Sequence, residues 1–283
     1  MTAQIIDGKA LADSLKGAMR EEVLACHNKE RVPHLIVIRV GDDPASEIYV
    51  RNKTRFCKEV GIAVSDAWLP ENVSQEEFDW LVRDYQYNDF VDGVMVQLPL
   101  PKKLTNIDLN NIVDVDCQGA EALGQVFFPQ DRKALAPCTA KAVMRLLEVP
   151  KVDLSGLHMV IVGRSNLVGK PLALMALQKD MTVTVAHSKT KNLREITSQA
   201  DVLVSATGVP YIIKPEMVKK DAIVIDVGIS RLGDTVCGDV SYDVREVAGW
   251  LTPVPRGVGP MTVAMLAENT IESCKRRIHI DEL

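Results

Sequence analysis

Residues 158–171 constrain this chain more than any other stretch. His158-Met159-Val160-Ile161-Val162 is a short apolar run that leads into Gly163-Arg164-Ser165-Asn166-Leu167-Val168-Gly169-Lys170-Pro171 and then a helical segment. A strand that turns through a glycine hinge into a helix aims backbone N–H groups and the helix dipole at one point, as a phosphate requires. Two better-known loops do not match. A P-loop has four residues between its glycines and a hydroxyl residue after its lysine; here five intervene and Pro171 follows Lys170. The usual dinucleotide loop, Gly-x-Gly-x-x-Gly, is spaced differently. Taken alone, the loop leaves a dinucleotide site and a plain structural turn both open.

The same alternation of strand and helix runs through the rest of the chain. Leu11, Leu15, Met19 and Val23 fall at four-residue steps and form one helical stripe. Residues 35–38 are a buried-strand run, closed by Gly41-Asp42-Asp43-Pro44. A helix over about 46–60 stops at Gly61. Ser74-Gln75-Glu76-Glu77 is a capping box ahead of Phe78, Trp80 and Leu81. Residues 93–98 form a strand halted by Pro99 and Pro101. A loosely patterned stretch, 103–137, reads as a connection. Beyond it come a helix at 141–147, strands at 158–162, 182–186, 201–205 and 222–226, and an apolar-periodic helix at 263–277. This order predicts an α/β protein of two doubly wound domains. The first spans 1–137, with 262–283 packing back on it; the second, 138–261, is Rossmann-like.

Composition removes several classes of function. The 283 residues carry 33 basic and 38 acidic side chains, a formal net charge of −5, with no basic run to hold nucleic acid. No apolar stretch approaches the roughly 20 residues that span a bilayer. Residues 1–7 lack the basic-then-apolar build of a signal peptide, so the expectation is a cytoplasmic protein. On that expectation the retention-like ending Ile280-Asp281-Glu282-Leu283 is a chance echo. The six cysteines are scattered, with no Cys-x-x-Cys and no completed ligand set, so neither a disulfide framework nor a metal site is expected.

Three local features bear on chemistry. The strand at 182–186 ends in His187-Ser188-Lys189, without the acid that NAD sites place there for the ribose 2′-hydroxyl. A 2′-phosphate would suit Ser188 and Lys189, with Arg164 approaching from the first loop; the alternative is a set of solvated surface charges. His187 reads equally as a ligand or as a hydrogen-bonded strand-end residue. Tyr49 and Lys53 are four apart on one helix, hence on one face. A Tyr-x-x-x-Lys also suggests short-chain dehydrogenases, but here it precedes the glycine loop and lies in the other domain. Gln97 ends an apolar strand at its carboxyl end, where open α/β sheets place ligands. A strand stopped by prolines explains the same string.

Taken together, these pieces resemble the bifunctional methylenetetrahydrofolate dehydrogenase/methenyltetrahydrofolate cyclohydrolase family. The resemblance is carried by Val40-Gly41-Asp42-Asp43-Pro44-Ala45-Ser46 with Tyr49-x-x-x-Lys53, by Val96-Gln97-Leu98-Pro99-Leu100-Pro101, by Asp114-Val115-Asp116 and by Pro137-Cys138-Thr139. It continues through the glycine loop, His187-Ser188-x-Thr190, Val224-Ile225-Asp226-Val227-Gly228, Gly238-Asp239-Val240, and Thr252-Pro253-Val254-Pro255 with Gly257-Val258-Gly259-Pro260-Met261-Thr262.

The resemblance implies that methylenetetrahydrofolate gives a hydride to NADP and that the methenyl product is hydrolysed at the same site to 10-formyltetrahydrofolate. That is a role in one-carbon metabolism and purine biosynthesis. It implies that Lys53 serves the cyclohydrolase step as a proton-transfer group whose neutral form is favoured by burial and by a cationic intermediate. Gln97 would hold Lys53, Tyr49 would pack on the folate, Leu98 would contact it, Asp116 would take hydrogen bonds from the pterin, and Gly259-Pro260 would wall the pocket. NADP would lie on Gly163, Arg164, Ser165, Val168, Gly169, Ser188, Thr207, Gly208, Gly228 and Ile229. A homodimer through the cofactor domains is implied as well.

Three departures from the family pattern cluster near the folate. Lys-Asp-Val-Asp-Gly, then an apolar residue and His-Pro, is replaced by Val113-Asp114-Val115-Asp116-Cys117-Gln118-Gly119-Ala120. Pro-Cys-Thr-Pro-x-Gly has become Pro137-Cys138-Thr139-Ala140-Lys141-Ala142, and a double glycine has become Arg256-Gly257. If that backbone needs a positive φ, Arg256 is strained. A dehydrogenase with weak or lost cyclohydrolase activity is therefore the alternative. A folate- or nucleotide-binding protein with little turnover is a third reading, opposed by Tyr49, Lys53, Gln97 and Asp116 standing together.

Overall fold

The structure is a computed structural model and describes residues 2–42, 44–98, 100–104, 135–233 and 235–281. Its first elements are β1 (Gln4–Ile5), α1 (Gly8–His27), β2 (His34–Val40), α2 (Pro44–Glu59), β3 (Ala63–Leu69), α3 (Gln75–Gln86) and β4 (Gly93–Val96). From residue 135 onward come α4 (Cys138–Leu146), β5 (His158–Val162), α5 (Gly169–Leu177), β6 (Thr182–Ala186), α6 (Leu193–Thr197) and β7 (Val202–Ser205); the expected connection over 103–137 lies mostly outside the described residues. The last are β8 (Ile223–Asp226), β9 (Ser230–Leu232), β10 (Thr235–Cys237), β11 (Trp250–Leu251) and α7 (Val258–Asp281). Contacts divide the chain into two compact units.

One unit comprises residues 14–122 and 263–283. Its sheet is parallel, in the order β3-β2-β4. β2 sits in the middle because its run of Leu35, Ile36, Val37 and Ile38 is buried throughout, as a strand covered on both faces must be. The Ser74 box forms as expected. Ser74 Oγ accepts from the Glu77 N–H at 3.1 Å, and Glu77 Oε2 accepts from the Ser74 N–H at 2.9 Å. That start aims Phe78, wholly buried, into a core with Ile36, Ile38, Val82, Val94 and Val96. Asp92 is also wholly buried, held by Arg31 Nη2 at 2.8 Å and by the His34 N–H at 3.0 Å. The C-terminal helix α7 ends in this unit, with Leu266, Ile271 and Cys274 buried and Lys275 paired to Glu22 at 3.2 Å.

The other unit comprises residues 1–13 and 123–262. Its six strands are all parallel, in the order β1-β11-β8-β7-β5-β6. β9 and β10 form a separate antiparallel pair. β5 has β6 on one side and β7 on the other, so the chain reverses its direction of travel across the sheet there. In such sheets this switch point is where ligands bind, at the carboxyl ends of the strands.

The N-terminal residues do something the sequence reading did not anticipate. The expected division kept them with the first domain, whereas Gln4 and Ile5 extend the six-stranded sheet beside Trp250 and Leu251. Backbone bonds from Ala3 N to Arg245 O (2.7 Å) and from Ile6 N to Leu251 O (2.9 Å) complete the attachment, and Ile6 is buried.

Phe78→Ala should lower the free energy of unfolding by about 3–5 kcal/mol, the usual cost of emptying a buried aromatic site. Denaturant titration of wild type and variant measures it.

Candidate active site

In the smaller sheet the polar groups gather just beyond β4. The Gln97 N–H donates to Ile38 O at 2.8 Å, extending the β2–β4 ladder by one residue and setting the Gln97 side chain at the strand end. Gln97 Nε2 donates to Leu98 O at 2.6 Å, which orients the amide so that its Oε1 faces α2. Lys53 Nζ donates to that Oε1 at 3.2 Å, and to the Met95 sulfur at the same distance. Two of the ammonium's three N–H donors are thus engaged by uncharged groups. Met95 is wholly buried in β4, so the lysine is held between a strand interior and a strand end.

Cys57 lies one turn further along α2. Burial pushes its thiol up to about 12, against the opposing influence of the Lys53 charge, so it stays protonated and is no nucleophile. Leu98 is part-exposed at the strand end. Tyr49 is on α2 one turn before Lys53, but its side chain lies outside the described residues, as do Asp116 and the altered loop around it.

In the larger sheet the expected cofactor residues occupy four neighbouring strand ends. Gly163 follows β5 with φ 132°, and a Cβ there would lie 2.4 Å from Ala206 O. A Cβ at Gly169 would lie 2.1 Å from Gly163 O. Any side chain at either position would force the backbone apart, so the loop depends on glycine at both ends. Between them Ser165 Oγ accepts from the Val168 N–H at 3.1 Å, and Arg164 and Ser165 are exposed. Arg164, Ser165, Val168 and Gly169 thus form one turn into α5.

Ser188 and Lys189 are exposed in the loop after β6. That loop is closed by the His187 N–H on Thr190 Oγ1 at 2.8 Å and the Lys189 N–H on His187 Nδ1 at 3.2 Å. His187 Nδ1 thus accepts a hydrogen bond within its own loop. Thr207 and Gly208 follow β7; Gly208 has φ 69° and open space on its Cβ side. Gly228 and Ile229 follow β8. Ile229 Cδ1 lies 3.9 Å from where a Cβ would stand on Gly259. Pro260 is in the first turn of α7, where a missing N–H costs nothing.

Two buried carboxylates stand at these strand ends, Asp226 and Asp239, which the sequence analysis quoted within motifs but gave no role. Asp226 Oδ1 accepts from the N–H groups of Gly228 and Asp239, both at 3.0 Å, and Oδ2 accepts from the Val240 N–H at 2.9 Å. Burial pushes the Asp226 carboxyl up to about 7; the three N–H groups lower it and the nearby Asp239 charge adds to the rise. An acid ending an apolar strand was the available signal.

The expected strain at Arg256 is present. Its φ is 85°, a region suited to glycine. Its guanidinium pairs with Asp7 Oδ2 at 2.8 Å, while Asp7 Oδ1 accepts from the Ala10 N–H at 3.0 Å at the start of α1. The backbone is clamped too. Arg256 O accepts from the Lys9 N–H at 2.9 Å, and a Cβ on Gly8 would meet Gly257 O at 1.9 Å.

A glycine-hinged turn at the switch point of one parallel sheet, with a lysine held beside the end of another, marks a two-domain dinucleotide-dependent α/β enzyme. Comparison with known proteins makes this specific. Residues 6–116 match the catalytic domain of tetrahydrofolate dehydrogenase/cyclohydrolase, and residues 137–278 match its NAD(P)-binding domain. The chain belongs to that family. The bifunctional protein FolD of Oceanobacillus iheyensis is 43% identical over 279 residues, 96% of this chain and 97% of that one. The bifunctional methylenetetrahydrofolate dehydrogenase/cyclohydrolase from Campylobacter jejuni has the same fold, with a TM-score of 0.93 at 40% identity, covering 97% and 99% of the two chains. The Trypanosoma brucei enzyme, solved with NADP and an inhibitor, gives 0.91 at 37% identity, covering 98% of each.

Two outcomes follow. Arg256→Gly removes backbone strain of about 1–3 kcal/mol and a surface ion pair worth at most about 1 kcal/mol. The variant is expected to melt higher than wild type in calorimetry. For Asp226, a folded-state value above the unfolded one means that the fold favours the proton. Its stabilising contribution is therefore full below about pH 4 and is lost as pH climbs to about 7. The stability of wild type relative to Asp226→Asn should accordingly decline between pH 4 and 7 and level off above, as read from paired melting curves.

Proposed function

We propose that this chain oxidises 5,10-methylenetetrahydrofolate with NADP and hydrolyses the resulting methenyl cation to 10-formyltetrahydrofolate. The observation that carries the second half is the Lys53–Gln97 pair. Water adds to the electron-poor methenyl carbon, and the adduct then opens a C–N bond; each change needs a proton moved at that place. Lys53 Nζ moves it. Gln97 and Met95 hold the amine with uncharged acceptors at 3.2 Å, which fixes its position without locking it into an ion pair. Tyr49, Leu98 and Asp116 bind and orient the folate, and Gly259-Pro260 wall it.

Bound NADP supplies the hydride acceptor. Gly163, Arg164, Ser165, Val168, Gly169, Thr207, Gly208, Gly228 and Ile229 hold it, and the tight glycine approaches at 163 and 169 support that reading. Ser188, with Lys189 and Arg164, takes the 2′-phosphate, which favours NADP over NAD; the related Trypanosoma brucei enzyme was solved with NADP. The same reading carries a cytoplasmic homodimer that serves purine biosynthesis. A dimer is supported by β6, which has β5 as its one neighbour among the described strands and exposes Val185.

The test follows NADPH and methenyl product separately by absorbance, with NADP and then NAD, on wild type and Lys53→Met. Wild type should form NADPH without accumulating methenyl product. Lys53→Met should slow hydrolysis by about 100-fold or more, the scale of a lost proton-transfer group, so that methenyl product builds up. Accumulation by the wild type itself would point to a dehydrogenase without effective cyclohydrolase action.

A further inference from the structure

Asp239 follows β10, is wholly buried, and directs its carboxylate at the end of a different strand, β7. Its Oδ2 accepts from Ser205 Oγ at 2.8 Å, the Thr207 N–H at 2.6 Å and Thr207 Oγ1 at 2.8 Å. Thr207 Oγ1 in turn accepts from the Val209 N–H at 3.1 Å, which closes the turn around Gly208. Ser230 Oγ holds Gly208 O from the far side at 3.0 Å.

Asp239 Oδ1 has no hydrogen-bond partner among the described residues and fills the space beside Gly228, where a Cβ would come within 2.0 Å. One carboxylate therefore ties the loop after β7 and occupies the space that a side chain at Gly228, in the loop after β8, would need. The β7 loop also bears on the β5 loop, through the close approach of Ala206 O to Gly163.

A neutral side chain could not do the same work. An amide there would carry no charge, and its NH₂ would have no acceptor where Oδ1 now stands. Charge-assisted bonds to one oxygen are also about twice as strong as neutral ones, which suits a loop that must keep its shape before any ligand arrives.

We propose that Asp239 is a positioning residue for the dinucleotide, shaping the Thr207-Gly208 and Gly228-Ile229 loops to receive it. This rests on the assignment of those loops to the cofactor. Asp239 reaches no substrate itself; it acts through Thr207.

The test compares Asp239→Asn with wild type in three readouts. The dissociation constant for NADP, by isothermal titration of the full chain, is expected to rise at least ten-fold. Amide exchange at Thr207 and Val209 in cofactor-free protein should quicken at least ten-fold, with Ile36 and Val37 of β2 unchanged. Hydrolysis of supplied methenyltetrahydrofolate, which uses no dinucleotide, should change less than two-fold.

Equal NADP binding by both proteins overturns the proposal, and so does a parallel fall in hydrolysis, since that marks a general loss of structure. If Asp239→Asn does not fold, Ser205→Ala removes one of the three donors and is expected to weaken NADP binding about three-fold; no change there overturns the proposal as well. Wild type that binds no NADP overturns the cofactor assignment itself, and this proposal with it.

Discussion

The contact on which the larger sheet's function depends is between two pieces of main chain. Ala206 O stands 2.4 Å from where a side chain on Gly163 would begin, and Gly163 O stands 2.1 Å from the same point on Gly169. Backbone can come this close to backbone only where Cβ is missing. The turn out of β5 is thereby pressed against the loop after β7 and against the first turn of α5. The spacing of the glycines, with five residues between them, is unlike the better-known loops, yet the geometric demand at each end is the same.

The two sheets hold their strand ends by different physical means. Around β4 side chains fix one another: Leu98 O turns the Gln97 amide, and Gln97 with Met95 steadies Lys53. Around β7 and β8 the loops are largely backbone, and carboxylates behind them do the fixing. Asp226 gathers three N–H groups, and Asp239 gathers the turn at Thr207. Burying two acids so close together is costly, and the raised Asp226 carboxyl shows part of that cost.

Much of this was legible in the sequence, because the relevant signals are local. The strands at 158–162 and 182–186, the Ser74 capping box and the four-residue step from Tyr49 to Lys53 each lie within a few positions of one another. The elements that escaped are those whose partners are remote. β1 and β11 have two residues each and exist because they pair with one another and with β8. β3 is an edge strand with Ser65 and Asp66 facing outward, so it lacks an apolar run. The Gly-Asp of Gly238-Asp239 reads as a turn; its bond to Thr207 becomes visible only when β7 and β10 are brought together. Arg256 was readable for the opposite reason, since a bulky residue where glycine is usual announces a φ problem without any partner.

The pairing of Gln4 with Trp250 has a consequence for how the chain is made. β1 is synthesised long before its partner strand, since Gln4 pairs with Trp250. Until β11 is made the six-stranded sheet lacks the strand that anchors β1, and β1 stays unpaired. Loop closure over so long a separation is entropically costly and comes after the local hairpins and crossovers have formed. The β1 edge of the sheet is thus sealed late, by the segment that leads into α7.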